Sequence, residues 1–85
     1  MKYTVKIEKS HIKRGRKNSD TCNPVALAIL EATSLPGWIV RYGRAVRFNS
    51  GDYAVLPGFI EKWLIKFDSE GESAVGPTEF ILKVS

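Results

Sequence analysis

Asn23-Pro24-Val25-Ala26-Leu27-Ala28-Ile29-Leu30-Glu31-Ala32 is the only long run with almost no polar side chains, and Glu31 is its single charge. An apolar circumference of this kind is stable as a helix only when it is surrounded. The stretch therefore predicts a short central helix, with Leu27 among its core side chains. Pro24 suits the first helical position, where its missing N–H is not needed and its fixed φ already fits. Asn23, Asp20 or Thr21 can supply the capping oxygen. The helix should stop near Thr33, because Leu35-Pro36-Gly37 cannot continue it.

Upstream of the helix, Tyr3, Val5 and Ile7 alternate with Lys2, Thr4, Lys6 and Glu8, the period-two pattern of a half-buried strand. Between strand and helix lies Lys9–Ser19, read as a loop, which holds five of the thirteen basic residues. Downstream, Trp38–Tyr42 is rich in aromatic and β-branched residues and predicts a strand. Gly43 turns the chain into a strand over Arg44–Phe48, Asn49-Ser50-Gly51-Asp52 forms a turn, and Tyr53-Ala54-Val55 forms a short strand. From Pro57 the period changes: Phe59, Ile60, Trp63, Leu64 and Phe67 recur at helical spacing, with Ile65 off the stripe. Asp68-Ser69-Glu70-Gly71 ends that helix, Glu72–Pro77 is an acidic loop, and Glu79–Val84 closes the chain as a strand beside the first. The order β-α-β-β-(β)-α-β predicts an α+β fold, a single domain over residues 1–85 with two helices on one face of a mainly antiparallel sheet.

Eighty-five residues, 44% hydrophobic and 26% charged, make an ordinary globular domain. A chain of this size buries only about 60–65% of its unfolded surface and cannot support two cores. The net charge of +4 is unevenly spread: residues 1–50 carry +7 and residues 51–85 carry −3. Such a split favours an acidic partner for the first half, or a charge-complementary contact between copies. One cysteine, Cys22, excludes an intrachain disulfide framework and points to a reducing cytoplasm. Lys2, Lys6, Glu8 and Lys9 interrupt any signal-peptide core, and no run approaches the roughly 20 apolar residues needed to cross a bilayer, so no membrane contact is expected.

Two sets of residues can hold a ligand. The first is the basic loop at the helix start, where His11, Lys13, Arg14, Arg16, Lys17, Ser19 and Thr21 can meet phosphate oxygens together with the helix amides. Gly15 would let this loop adopt a positive φ. The second set is Arg41, Tyr42, Arg44 and Arg47, placed to hold a base or ribose, since guanidinium groups beside aromatic rings can stack and pair with phosphate at once. Strand parity puts Arg41 with Arg47 and not with Arg44, unless the turn near Gly43 resets the register. His11 and Cys22 have no orienting third group and are too few for a four-ligand zinc site. No catalytic set, metal set or cofactor cradle can be assembled. Cys22 reads as a small buried residue beside the helix start.

His11-Ile12, Gly15, Cys22 through Ala28, Leu56-Pro57, Phe67-Asp68 and Phe80 together resemble a family of small uncharacterised bacteriophage and bacterial proteins. Its pattern has a His-Ile, a Cys-Pro-(Val/Ile)-Ala-Leu-Ala helix start, a Leu-Pro before a second helix, and a Phe-Asp before the last strand. Here Asn23 separates Cys22 from Pro24, which departs from that pattern. The resemblance implies a phage counter-defence protein acting in the host cytoplasm. The leading expectation is a non-enzymatic homo-oligomer that captures an anionic nucleotide-like ligand, such as a host immune signal. The alternatives are a nucleic-acid-binding protein and a protein-binding inhibitor of a host defence complex, in the manner of an anti-CRISPR.

Overall fold

The computed structural model describes residues 1–41, 43–48 and 50–85. Strand β1 (Lys2–Ile7) leads through a short helix α1 (Lys9–Arg14) and a turn to helix α2 (Pro24–Thr33). Strands β2 (Trp38–Arg41), β3 (Arg44–Arg47) and β4 (Tyr53–Val55) follow, then helix α3 (Gly58–Glu70), a 3₁₀ turn (Glu72–Ala74) and strand β5 (Thr78–Lys83). The class is α+β with antiparallel strands, as the pattern predicts. The strands form two sheets, β1-β5 and β2-β3-β4, rather than one. Ser85 N–H donates to Tyr53 O at 2.9 Å, which ties the end of the first sheet to the second.

α2 forms where expected, and Asn23 is its cap: Oδ1 accepts from Ala26 N–H at 2.8 Å. The Asn23 Nδ2 donates to Ser19 O at 2.8 Å and to Val40 O at 3.1 Å, so one buried amide fixes the helix start, the preceding turn and β2. Pro24, Val25, Ala26, Ala28 and Ile29 are buried, whereas Leu27 is only half-buried and Leu30 is exposed. The core closes with Val5 and Ile7 of β1, Phe80 and Leu82 of β5, and Ile60, Leu64 and Phe67 of α3. Ile65, off the stripe, is exposed; Phe59 is also exposed, although Ile60 beside it in the first turn of α3 is fully buried.

The far end of α2 is organised by Thr33. Its hydroxyl donates to Ile29 O at 2.8 Å and accepts from the buried Trp38 Nε1–H at 3.1 Å. Thr33→Val keeps the shape but leaves the indole N–H without an acceptor. It should lower the unfolding free energy by about 2 kcal/mol, measured by urea denaturation, and Thr33→Ser should recover most of the loss.

Lys9–Arg14 is helical, where the sequence reads as a loop. Glu8 N–H donates to His11 Nδ1 at 2.9 Å, so histidine at the third helical position satisfies the cap amide in the way a glutamate usually does. Gly15 is not in the left-handed region: it has φ −68° and ψ 151°. A side chain is excluded there by Pro24, whose ring carbons would lie 2.5 Å from an added Cβ.

Candidate functional site

The helix start does not form the expected anion cradle. Pro24 has no N–H, the Ala26 amide is already donated to Asn23, and residues 23–26 are buried. His11 is 1% exposed, and both ring nitrogens are engaged, Nδ1 by Glu8 N–H and Nε2 by the Glu31 carboxylate. With Nδ1 accepting, Nε2 carries the proton and donates to Glu31. His11 therefore pins α1 to α2 and has no nitrogen left for a ligand. Ser19 Oγ accepts from Cys22 N–H at 3.1 Å and shapes the turn. Thr21 is exposed, and Cys22, expected to be buried, is exposed too. Arg16 N–H donates to Cys22 O at 2.8 Å, which closes the turn and leaves the side chain at the surface.

Lys13, Arg14, Arg16 and Lys17 all face solvent. Arg16 and Lys17 border a hollow of about 340 Å³ beside Phe67 and Glu72, and none of the four reaches the hairpin arginines. The exposed cations of the first set are therefore apart from the hairpin arginines, although Ser19 of that set lines a smaller hollow together with Arg41.

The second set is rearranged by the hairpin. β2 and β3 are joined through residues 42–43, and the register places Arg41 opposite Arg44. Opposed residues of an antiparallel pair share a face, so Arg41 and Arg44 project together from the outer side. Arg47 is opposite Trp38 and turns inward. There its Nη1 pairs with Asp52 Oδ2 at 2.5 Å and its Nε donates to Pro36 O at 2.9 Å. Arg47 is thus a fastener of the β3–β4 turn and leaves the site. Tyr42 lies outside the described residues.

On the outer face the register also aligns Ile39, Val46 and Tyr53 in one row across the three strands. This row is the floor of a cavity of about 880 Å³. Arg41, Arg44 and Val55 stand along one side, and Asp20, Gly43 and Glu61 complete the rim. The first turn of α3 brings Glu61 close: a Cβ placed on Gly43 would lie 3.1 Å from Glu61 Oε2. Arg41 Nη2 donates to Asp20 Oδ2 at 2.5 Å, while Asp20 O accepts from Val40 N–H at 2.7 Å. An exposed pair of this kind contributes no more than about 1 kcal/mol to stability, so its consequence is placement of the guanidinium. The side chains of Arg44 and Glu61 make no hydrogen bond or ion pair among the described residues.

The sequence reading missed Asp20, Ile39, Val46, Tyr53, Val55 and Glu61. The alternation in β2 to β4 carried the signal for Ile39, Val46, Tyr53 and Val55, each opposite in parity to buried Val40, Ala45 or Ala54, whereas Asp20 and Glu61 lie outside those strands. Among the described residues no three His, Cys, Asp or Glu side chains gather as a metal set, and no helix is long and apolar enough to cross a membrane. No family model, no curated protein and no solved structure matches the chain, so the geometry of this face is what a functional reading has to stand on.

Proposed function

We propose that the chain is a non-enzymatic binding protein that captures an anionic, nucleotide-like small molecule on the outer face of β2–β4. One observation carries this reading: Arg44 stands without an ionic partner among the described residues, beside an apolar floor of Ile39, Val46 and Tyr53. A guanidinium fork pairs with two phosphate oxygens at once, and the apolar row offers a surface for a flat base. The cavity of about 880 Å³ falls within the range of small-molecule sites. The resemblance to small phage proteins extends the reading to sequestration of a host immune nucleotide. Val46 and Val55 are exposed apolar side chains at this face, and the reading includes a homo-oligomer in which a second copy closes the site over the bound ligand.

A thermal-shift titration with mono-, di- and cyclic nucleotides tests the reading. A ligand present at a hundredfold excess over its dissociation constant stabilises the fold by about 2.7 kcal/mol. Arg44→Ala should weaken the responding ligand at least tenfold, about 1.4 kcal/mol, with the unliganded melting temperature unchanged. An undiminished shift in that variant would place the ligand elsewhere and end this assignment.

The five exposed cations of α1 and the turn after it favour a second reading, contact with a nucleic-acid backbone. Polynucleotide binding that falls steeply with salt, survives Arg44→Ala and is lost in Lys13→Ala/Arg16→Ala would select it.

A further inference from the structure

We propose that this cavity selects a ligand with a single phosphate and several hydrogen-bond donors, a nucleoside monophosphate or cyclic monophosphate, and disfavours polyphosphates and nucleic-acid chains. The inference rests on the nucleotide reading above and concerns the charges that line the same site.

Among the described residues the lining carries two positive and two negative side chains, Arg41 and Arg44 against Asp20 and Glu61. The described lining therefore has no net charge of its own to draw a highly charged ligand, although residues 1–50 as a whole carry +7. The loose cations responsible for that excess, on α1 and the following turn, do not line the cavity.

Within the cavity the arginines are not equivalent. Arg41 is already opposed by Asp20 at 2.5 Å, so Asp20 acts as an internal anion that a phosphate must displace or share. Arg44 has no such competitor, and one guanidinium fork matches one phosphate group. Glu61 sets the other half of the selection. Its carboxylate lies against the hairpin tip at Gly43 and receives no donor from the described residues. An ionised carboxylate can only accept hydrogen bonds, so its complement on a ligand is a sugar hydroxyl or a base amino group. Every phosphate beyond the first brings negative charge towards Asp20 or Glu61, in a cleft where charges interact more strongly than in bulk water. Juxtaposed like charges reject a wrong ligand, and specificity is built from such repulsion as well as from favourable contacts. The apolar row of Ile39, Val46 and Tyr53 leaves the base a neutral surface.

The test is isothermal titration calorimetry on the whole chain, at fixed ionic strength. The probes are adenosine and guanosine 5′-monophosphates, their 3′,5′-cyclic forms, the matching triphosphates and an oligothymidylate. At least one monophosphate should bind about tenfold or more tightly than its triphosphate. Asp20→Asn and Glu61→Gln, isosteric and charge-removing, should each raise triphosphate affinity and bring the two within about threefold. Unliganded melting temperatures of both variants establish that the fold is kept. If a triphosphate or the oligothymidylate binds wild type at least as tightly as any monophosphate, and Arg44→Ala weakens it, the selection is wrong while the nucleotide reading stands. The selection is equally wrong if the carboxylate variants leave the preference unchanged. If none of these probes binds, or Arg44→Ala alters no affinity, the nucleotide reading falls and the selection falls with it.

Discussion

Asn23→Ala is expected to lower the unfolding free energy by about 3–5 kcal/mol, a large share of the roughly 4–13 kcal/mol that a domain of this length has. Three bonds depend on this one side chain, which is 1% exposed. Losing the acceptor for Ala26 N–H removes the cap of α2, an effect of about 0.5–2 kcal/mol. Losing Nδ2 leaves the carbonyls of Ser19 and Val40 without that donor, and a buried orphaned carbonyl costs about 1–3 kcal/mol. Urea denaturation gives the total. Asn23→Ser should return only the cap, about 1 kcal/mol, since a hydroxyl cannot reproduce two separate donations. Asn23→Asp should do no better than alanine, because it keeps the acceptor while burying a charge. A loss below 1 kcal/mol for alanine would mean that water replaces the amide and that this residue does not join the turn to β2.

Gly15→Ala should cost about 3 kcal/mol, and here two physical effects predict opposite signs. At φ −68° the backbone suits any residue, so alanine would ordinarily stabilise by about 0.4–1 kcal/mol through the unfolded chain. The added Cβ, however, would lie 2.5 Å from Pro24 Cδ and Cγ and 2.7 Å from its backbone nitrogen. None of these atoms is the free end of a flexible side chain, so the backbone itself must shift. Overpacking of this kind costs about 1–3 kcal/mol, and the rigid ring puts it at the upper end. Pro24→Ala in the Gly15→Ala background should recover part of the loss, a coupling that a double-mutant cycle measures. A neutral or stabilising Gly15→Ala would show that the turn relaxes freely away from α2.

The elements that carry strong periodicity were legible from sequence. The run from Pro24 to Thr33, the alternation in β1 and the stripe of α3 each commit many residues to one pattern, and burial follows it except at Leu27, Leu30 and Phe59. α1 was not legible because six residues give too few turns to show a period. Its one clue, Glu8 three residues before His11, is a capping box with an unusual partner. Gly15 was misjudged because a glycine in sequence does not declare whether it is needed for φ or for space. The hairpin arginines show a different limit. Parity counted straight through the two strands joined Arg41 to Arg47, and only the register across residues 42–43 joins Arg41 to Arg44 instead. The site escaped notice for the same reason: a floor drawn from three strands is a property of pairing, which no single stretch displays.

The partners Lys2 and Lys83 make the first sheet out of the two ends of the chain, while β2, β3 and β4 pair with near neighbours. Closing a loop of that length costs more chain entropy than closing either hairpin. The meander can therefore assemble from whatever part of the chain has emerged during synthesis, whereas β1 has no strand to pair with until β5 is complete. Until then its edge is open, with Lys2 and Lys6 on it as the charged residues that discourage pairing with another chain. The same long-range closure raises the contact order of the fold, which slows folding relative to a fold of local pairings only.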